Sequence, residues 1–252
     1  MKQLLIIVLL FVLPAISLSQ VINVKDSVIT GVVLKISYGF QFPEMDMKTR
    51  FGWNSGIGGE VVYKFKNNWQ VGVHGQYLFG NNVKEWEKIL EPLINTNGSI
   101  INIDGEGALI SVEEEGYMVG VEFGKVWKFL QANSNSGVIT TFGLGYMDHW
   151  IKYDVEENLV PQLEGDYIKL YDRKTSGIYL RQFIGYNFQS NTRLLNFYGG
   201  VEIVEGFTQG RRSYDLATGG PLTGSRFDML IGIRIGWMLP FYPNKPDEFY
   251  FN

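Results

Sequence analysis

An all-β, up-and-down antiparallel transmembrane β-barrel of about eight strands is the fold this sequence predicts, and three observations predict it. Apolar and polar residues alternate with period two in about eight segments, as strands with two differently solvated faces require. The polar face is rich in glycine and poor in charge, and the chain carries 30 glycines with 15% aromatics. Connections of alternating length join the segments, short turns at one end and long loops at the other. Residues 226–242, RFDMLIGIRIGWMLPFY, carry the pattern most plainly. Phe227, Met229, Ile231, Ile233, Ile235, Trp237, Leu239 and Phe241 share one face, while Asp228, Gly232, Arg234 and Gly236 fall on the other.

The elements follow in chain order. Residues 1–19 read as a secretory signal peptide: Lys2, an apolar run from Leu4 to Leu18, and the small-x-small site Ser17-Leu18-Ser19. Residues 20–252 then form one barrel domain. The first strand, near 30–40, sets Leu34, Ile36, Tyr38 and Phe40 against Lys35, Ser37 and Gly39. The second, near 55–66, sets Ile57, Val61 and Tyr63 against Gly58 and Glu60. Lys66-Asn67-Asn68 makes a tight turn of residues that tolerate left-handed backbone. The third, near 69–80, sets Trp69, Val71, Val73 and Tyr77 against Gly72, His74 and Gln76.

The second half repeats the scheme. Near 116–127, Tyr117, Val119, Val121 and Phe123 oppose Gly120, Glu122 and Gly124. Near 137–151, Val138, Phe142, Leu144 and Tyr146 oppose Thr141, Gly143 and Gly145. The sixth strand, near 177–188, opposes Ile178, Leu180 and Ile184 to Arg181 and Gly185, and is the least regular, with Gln182 on the oily face and Phe183 on the other. The seventh, near 194–207, opposes Leu195, Phe197, Val201 and Ile203 to Asn196, Gly200 and Glu202. The long connections are expected at 41–54, 81–115, 152–176 and 208–225.

A soluble barrel would place its apolar side chains inside and charge outside. Here the glycine-rich face suits a crowded lumen of about eight strands, and the broad apolar face suits lipid. Trp69, Tyr117, Tyr186, Trp237 and Phe241 fall near strand ends, where aromatic rings meet headgroups.

Composition closes several alternatives. With no cysteine there is no disulfide, thiol chemistry or lipidated anchor. A net charge of −4 offers no basic face for nucleic acid. No stretch suggests a cofactor or a metal site, and the acidic residues of 81–115 match no calcium-loop spacing.

The candidate sites follow from the same alternation. Lys35, Glu60, His74, Glu122, Arg181, Glu202 and Arg234 fall on the lumen face at similar heights. Three positive and three negative groups there call for pairing in a low-dielectric interior. Lys35–Glu60, Arg181–Glu202 and Glu202–Arg234 are expected on neighbouring strands, and a carboxylate is needed between Arg234 and Lys35. Such a network fills the lumen; the alternative is a gated ion or solute path. For catalysis, His149 is the one candidate base; adjacent Asp148 points to the opposite face of its strand and makes no dyad with it. A lipid or peptide hydrolase at the rim is therefore the weaker alternative to a non-enzymatic barrel.

The loops hold the recognition candidates. Residues 83–94 read as an amphipathic helix with Asn82 as cap and Pro92 near its end. Trp86, Leu90 and Leu93 lie on one side, to pack on the rim or dock a partner protein. Arg211 and Arg212 suit lipopolysaccharide phosphates, or a contact with the acidic second loop.

Taken together these residues resemble the small eight-stranded outer-membrane β-barrels of Gram-negative bacteria, the OmpA membrane-domain and OmpX type. Arg234, Gly236, Leu239 and Phe241 also resemble the C-terminal signal read by the barrel-assembly machinery, although eleven residues, YPNKPDEFYFN, follow Phe241. The resemblance implies the outer membrane as location, with outer-membrane lipid, the assembly machinery and another outer-membrane protein as partners. The function it implies is envelope structure or a docked subunit of a secretion or uptake assembly.

Overall fold

The computed structural model describes residues 28, 30–130, 132–156, 160–190 and 195–241. The signal-peptide reading of 1–19 and the tail after Phe241 lie outside the described residues.

Eight long strands close into one barrel: β1 (Gly31–Glu44), β2 (Asn54–Lys64), β3 (Trp69–Gly80), β4 (Leu109–Trp127), β5 (Gly137–Glu156), β6 (Thr175–Gln189), β7 (Asn196–Gly210) and β8 (Ser225–Phe241). Each pairs antiparallel with its sequence neighbours, and β8 returns to β1 from Val32↔Phe241 to Glu44↔Met229. Closure leaves no unpaired edge, so every backbone group in the wall finds its partner without water. Strand β1 alternates buried and exposed from Gly31 to Pro43 without a break. The exposed positions are the apolar ones: Ile36, Val73, Val119, Ile184 and Ile233 are each more than half exposed. The buried positions include Lys35, Glu60, Glu122 and Arg234. Charge inside and apolar side chains outside is the reverse of a water-soluble barrel.

Lumen glycines make this packing fit. A Cβ on Gly236 would sit 2.3 Å from Cε1 of Tyr198, and one on Gly200 would sit 2.2 Å from the carbonyl oxygen of Ile184. Asn68 adopts φ +63° in the β2–β3 turn, as that turn demands of its last residue.

Three expectations are corrected. At their loop ends β1, β4, β5, β6 and β7 run past the expected bounds, most of all β4 and β5, of 19 and 20 residues, which rise together as a ribbon from Glu114 and His149 to Leu109 and Glu156. Period-two signals fade there because Glu113, Glu115, Lys152 and Asp154 stand on the outer face of the ribbon, above the apolar wall. The first long connection shrinks to residues 45–53, because β1 continues through Pro43 and Met45–Arg50 forms a short helix, α1. It is then no longer than residues 128–136 at the other end, so the long–short alternation is not strict. The amphipathic helix of 83–94 is only Trp86–Leu90, α2, followed by a 3₁₀ turn at Glu91–Leu93 that Pro92 opens. Asn82 does not cap it; Glu85 occupies that position without a side-chain hydrogen bond.

Candidate functional site

The lumen is filled in layers. At the short-turn end, Lys64 donates to Asn135 Oδ1 at 2.8 Å and Gln189 Oε1 at 3.2 Å. Asn133 and Ser136 bind the Gln189 carbonyl. Val33, Val62, Val126, Ile139, Phe183, Tyr198 and Met238 form an apolar layer above them. Phe183 points inward as its register requires, and the Arg234 guanidinium lies 5.6 Å from its ring centroid.

The middle layer holds the charged side chains, all buried. Glu60 is its hub: its carboxylate accepts from Lys35 at 3.0 Å, from Arg181 at 3.0 Å and from Arg234 at 2.7 Å. It thereby supplies the carboxylate that Lys35 and Arg234 need between them. Arg181 also pairs with Glu122, and lies 3.6 Å from Glu202. Arg234 pairs with Glu202, to which Gln41 donates at 3.1 Å. His74 bonds the Tyr179 hydroxyl and sits 3.7 Å from Glu122. All seven lumen residues singled out from the sequence thus meet in one cluster. Gln41 and Tyr179 were missed, although alternation places both on the lumen side. The contacts of Arg181 with Glu60 and Glu122 cross the lumen, which strand adjacency alone does not reveal.

The outer mouth is closed by an apolar cap. Met47 and Phe51, from the first loop, meet Ile89 and Leu90 of α2, Val160 and Leu163 of the third loop, and Leu78, Met118, Met147 and Leu230 of the barrel wall. Leu90 is 0% exposed, and Trp86 and Leu93 pack partly buried against the same cluster. The side of α2 that was a docking candidate is thus turned onto its own barrel. Several polar groups inside the cap find local partners. Arg50 donates to the Arg173 carbonyl at 2.8 Å and to Thr175 at 2.9 Å. Burial pushes the Arg50 guanidinium down to about 10. Asn54 donates to both oxygens of Glu114.

His149 is completely buried here, and its Nε2 lies 3.1 Å from Asp228 Oδ2. Thr208 donates to the same carboxylate oxygen at 2.5 Å, so the hydroxyl is tied to Asp228 and not to the imidazole. In this arrangement the imidazole meets neither solvent nor a free hydroxyl, the two partners that a general base acting on water or lipid uses. Asp148 points the other way, bound by Tyr117 and Lys174.

The two arginines of the fourth loop separate. Arg212 pairs with Asp172 of the third loop, which holds its guanidinium above the usual arginine range. Its carboxylate partner is thus on the third loop, which corrects the expected contact with the acidic second loop. Arg211 donates to Ser176 Oγ at 2.7 Å, above an outward groove lined by Tyr146, Ile178 and Phe207. No carboxylate lies within ion-pair distance of it among the described residues. Of the assembly-signal residues, Arg234 is in the lumen, Gly236 packs on Tyr198, and Leu239 and Phe241 pair with Leu34 and Val32 of β1.

The outer wall decides the environment. Its exposed apolar rows are bounded by Tyr146, Phe207 and Phe227 at the loop end. At the turn end they are bounded by Trp69 and Trp127, with the Lys125 ammonium 5.1 and 4.5 Å from the ring centroids. The chain is a closed eight-stranded antiparallel barrel with an apolar outer face, the arrangement of a transmembrane β-barrel. No family model matches it, and no curated protein matches it. Among solved structures it is similar to Neisserial surface protein A, with 10% identity, 84% of this chain and 97% of that one covered, and a TM-score of 0.47. It is also similar to Ail, the attachment invasion locus protein of Yersinia pestis, with 12% identity, 84% and 100% coverage and a TM-score of 0.42. A major outer membrane protein from Thermus thermophilus gives 10%, 82% and 99%, and 0.44. With overlap this partial, the assignment of the barrel rests on its own closed ladder and outer wall.

Proposed function

We propose that this protein is a non-enzymatic, sealed outer-membrane barrel that contributes to the structure of the envelope. The observation that carries the reading is the double closure of the lumen. The Glu60-centred charge network blocks the middle, and the apolar cap of Met47, Phe51, Ile89 and Leu90 blocks the outer mouth. A conducting path would have to break both, which touch through Tyr179, packed in the cap and bonded to His74. Arg211, above the wall of Ile178 and Phe207, is the contact for a lipopolysaccharide phosphate, with acyl chains against the wall below. The strand β8 residues Arg234, Gly236, Leu239 and Phe241 serve as the signal to the assembly machinery. Docking to another outer-membrane protein falls to surfaces other than the inward side of α2.

The test is genetic complementation. Cells lacking the protein take up more of a large dye that an intact envelope excludes, and both the wild type and His149→Gln restore exclusion. Unchanged uptake on loss of the protein would end the envelope reading. A folded His149→Gln that failed to restore exclusion would favour the hydrolase.

A further inference from the structure

One place on the lipid-facing wall is polar. Gln182 and Glu205 both point outward, from β6 and β7, and Gln182 Nε2 donates to Glu205 Oε2 at 3.4 Å. The register fixes their depth. Ile178↔Phe207 marks the loop-end row of the wall and Tyr186↔Gly199 the turn-end row, with Leu180↔Glu205, Gln182↔Ile203 and Ile184↔Val201 between them. The pair therefore sits amid Phe142, Leu180, Ile184, Val201 and Ile203, well inside the apolar band. No lysine or arginine reaches Glu205 among the described residues. A carboxylate and a carboxamide facing hydrocarbon lack the partners that water would give them, and one long bond between them satisfies little of their capacity. Beside them the wall dips into a shallow groove lined by Phe142, Gln182, Ile184, Val201 and Ile203.

We propose that the β6–β7 wall is a two-fold contact between two copies of this chain in the plane of the membrane. The complementarity points to a second copy. The two polar tips meet across neighbouring strands, one a donor amide and the other an acceptor carboxylate. A two-fold axis along the membrane normal, passing between them, sets the amide of each copy opposite the carboxylate of the other, as a self-complementary contact requires. Four groups that face lipid in the monomer then close a ring of hydrogen bonds, and the groove on each wall receives the ridge of its neighbour. Leu180 and Ile203 complete the square around the axis.

Because the chain has no cysteine, single-cysteine cross-linking in native membranes tests this directly. Leu180→Cys lies beside the axis, and Val73→Cys lies on the opposite wall, on β3. Under mild oxidation Leu180→Cys gives a species of twice the monomer mass and Val73→Cys gives none. Adding Glu205→Leu to Leu180→Cys cuts the dimer yield several-fold, although it makes the wall more apolar; heat-modifiable migration confirms that the variant is folded. Absence of dimer, equal yields at the two positions, a cross-link to a protein of different mass, or a yield indifferent to Glu205→Leu would each overturn the proposal.

Discussion

Glu60 sits opposite His74 on β3 and Lys35 on β1, and receives three cations on one carboxylate. Removing its charge leaves Lys35, Arg181 and Arg234 with two carboxylates between them in a lumen from which water is largely excluded. Breaking a buried pair on one side costs about 3–5 kcal/mol, because the remaining charge is stranded. Glu60→Gln therefore destabilises the folded barrel by about that much, read as the fall in the urea midpoint of its heat-modifiable band multiplied by the denaturant slope. Lys35→Met in the same background recovers part of the loss, since it removes one stranded cation. The Lys35–Glu60 pair was legible in the sequence, because both lie on the lumen face of neighbouring strands. Glu60 with Arg181 was not, because that contact depends on how the closed barrel brings opposite walls together, and periodicity carries no information about diameter. His149 was legible as a candidate base; its burial and its partner Asp228, 79 positions away, were visible only once β8 and β5 faced one another.

Among the elements, α2 and the loop around it show how a local pattern can be right about its apolar side and silent about what that side meets. Val83, Trp86, Leu90 and Leu93 do share a side, but Pro92 ends the α-helix after five residues and the side turns inward onto Phe51 and Met47. Helical spacing predicts an apolar stripe and leaves its destination open. Leu90 has no exposed surface, so Leu90→Ala removes packing worth about 2–5 kcal/mol at that site. The loss falls on the cap and not on the wall. Limited proteolysis of reconstituted protein then cleaves first within residues 81–108, while β1–β8 stay protected and migrate as a folded barrel. Simultaneous loss of the barrel would mean that cap and wall fold as one unit. The long ribbon of β4 and β5 was hidden for a related reason: above the membrane both of its faces meet water or loops, so its outer side chains follow no apolar rule.

For the whole molecule, the reversal of faces is what the sequence stated most plainly, and it follows from solvent. Lipid accepts Ile36, Val119, Ile184 and Ile233, while glycine and paired charge fit the narrow inside. An interior built this way is a packed core, and the apolar cap adds a second closure at the outer mouth. The measurement that bears on this most directly is single-channel recording of the purified, refolded protein in planar lipid bilayers. A sealed barrel gives no current steps at either polarity, and Leu90→Ala, with the charge layer intact, gives none either. Reproducible open-channel steps from the wild-type protein would contradict a closed lumen.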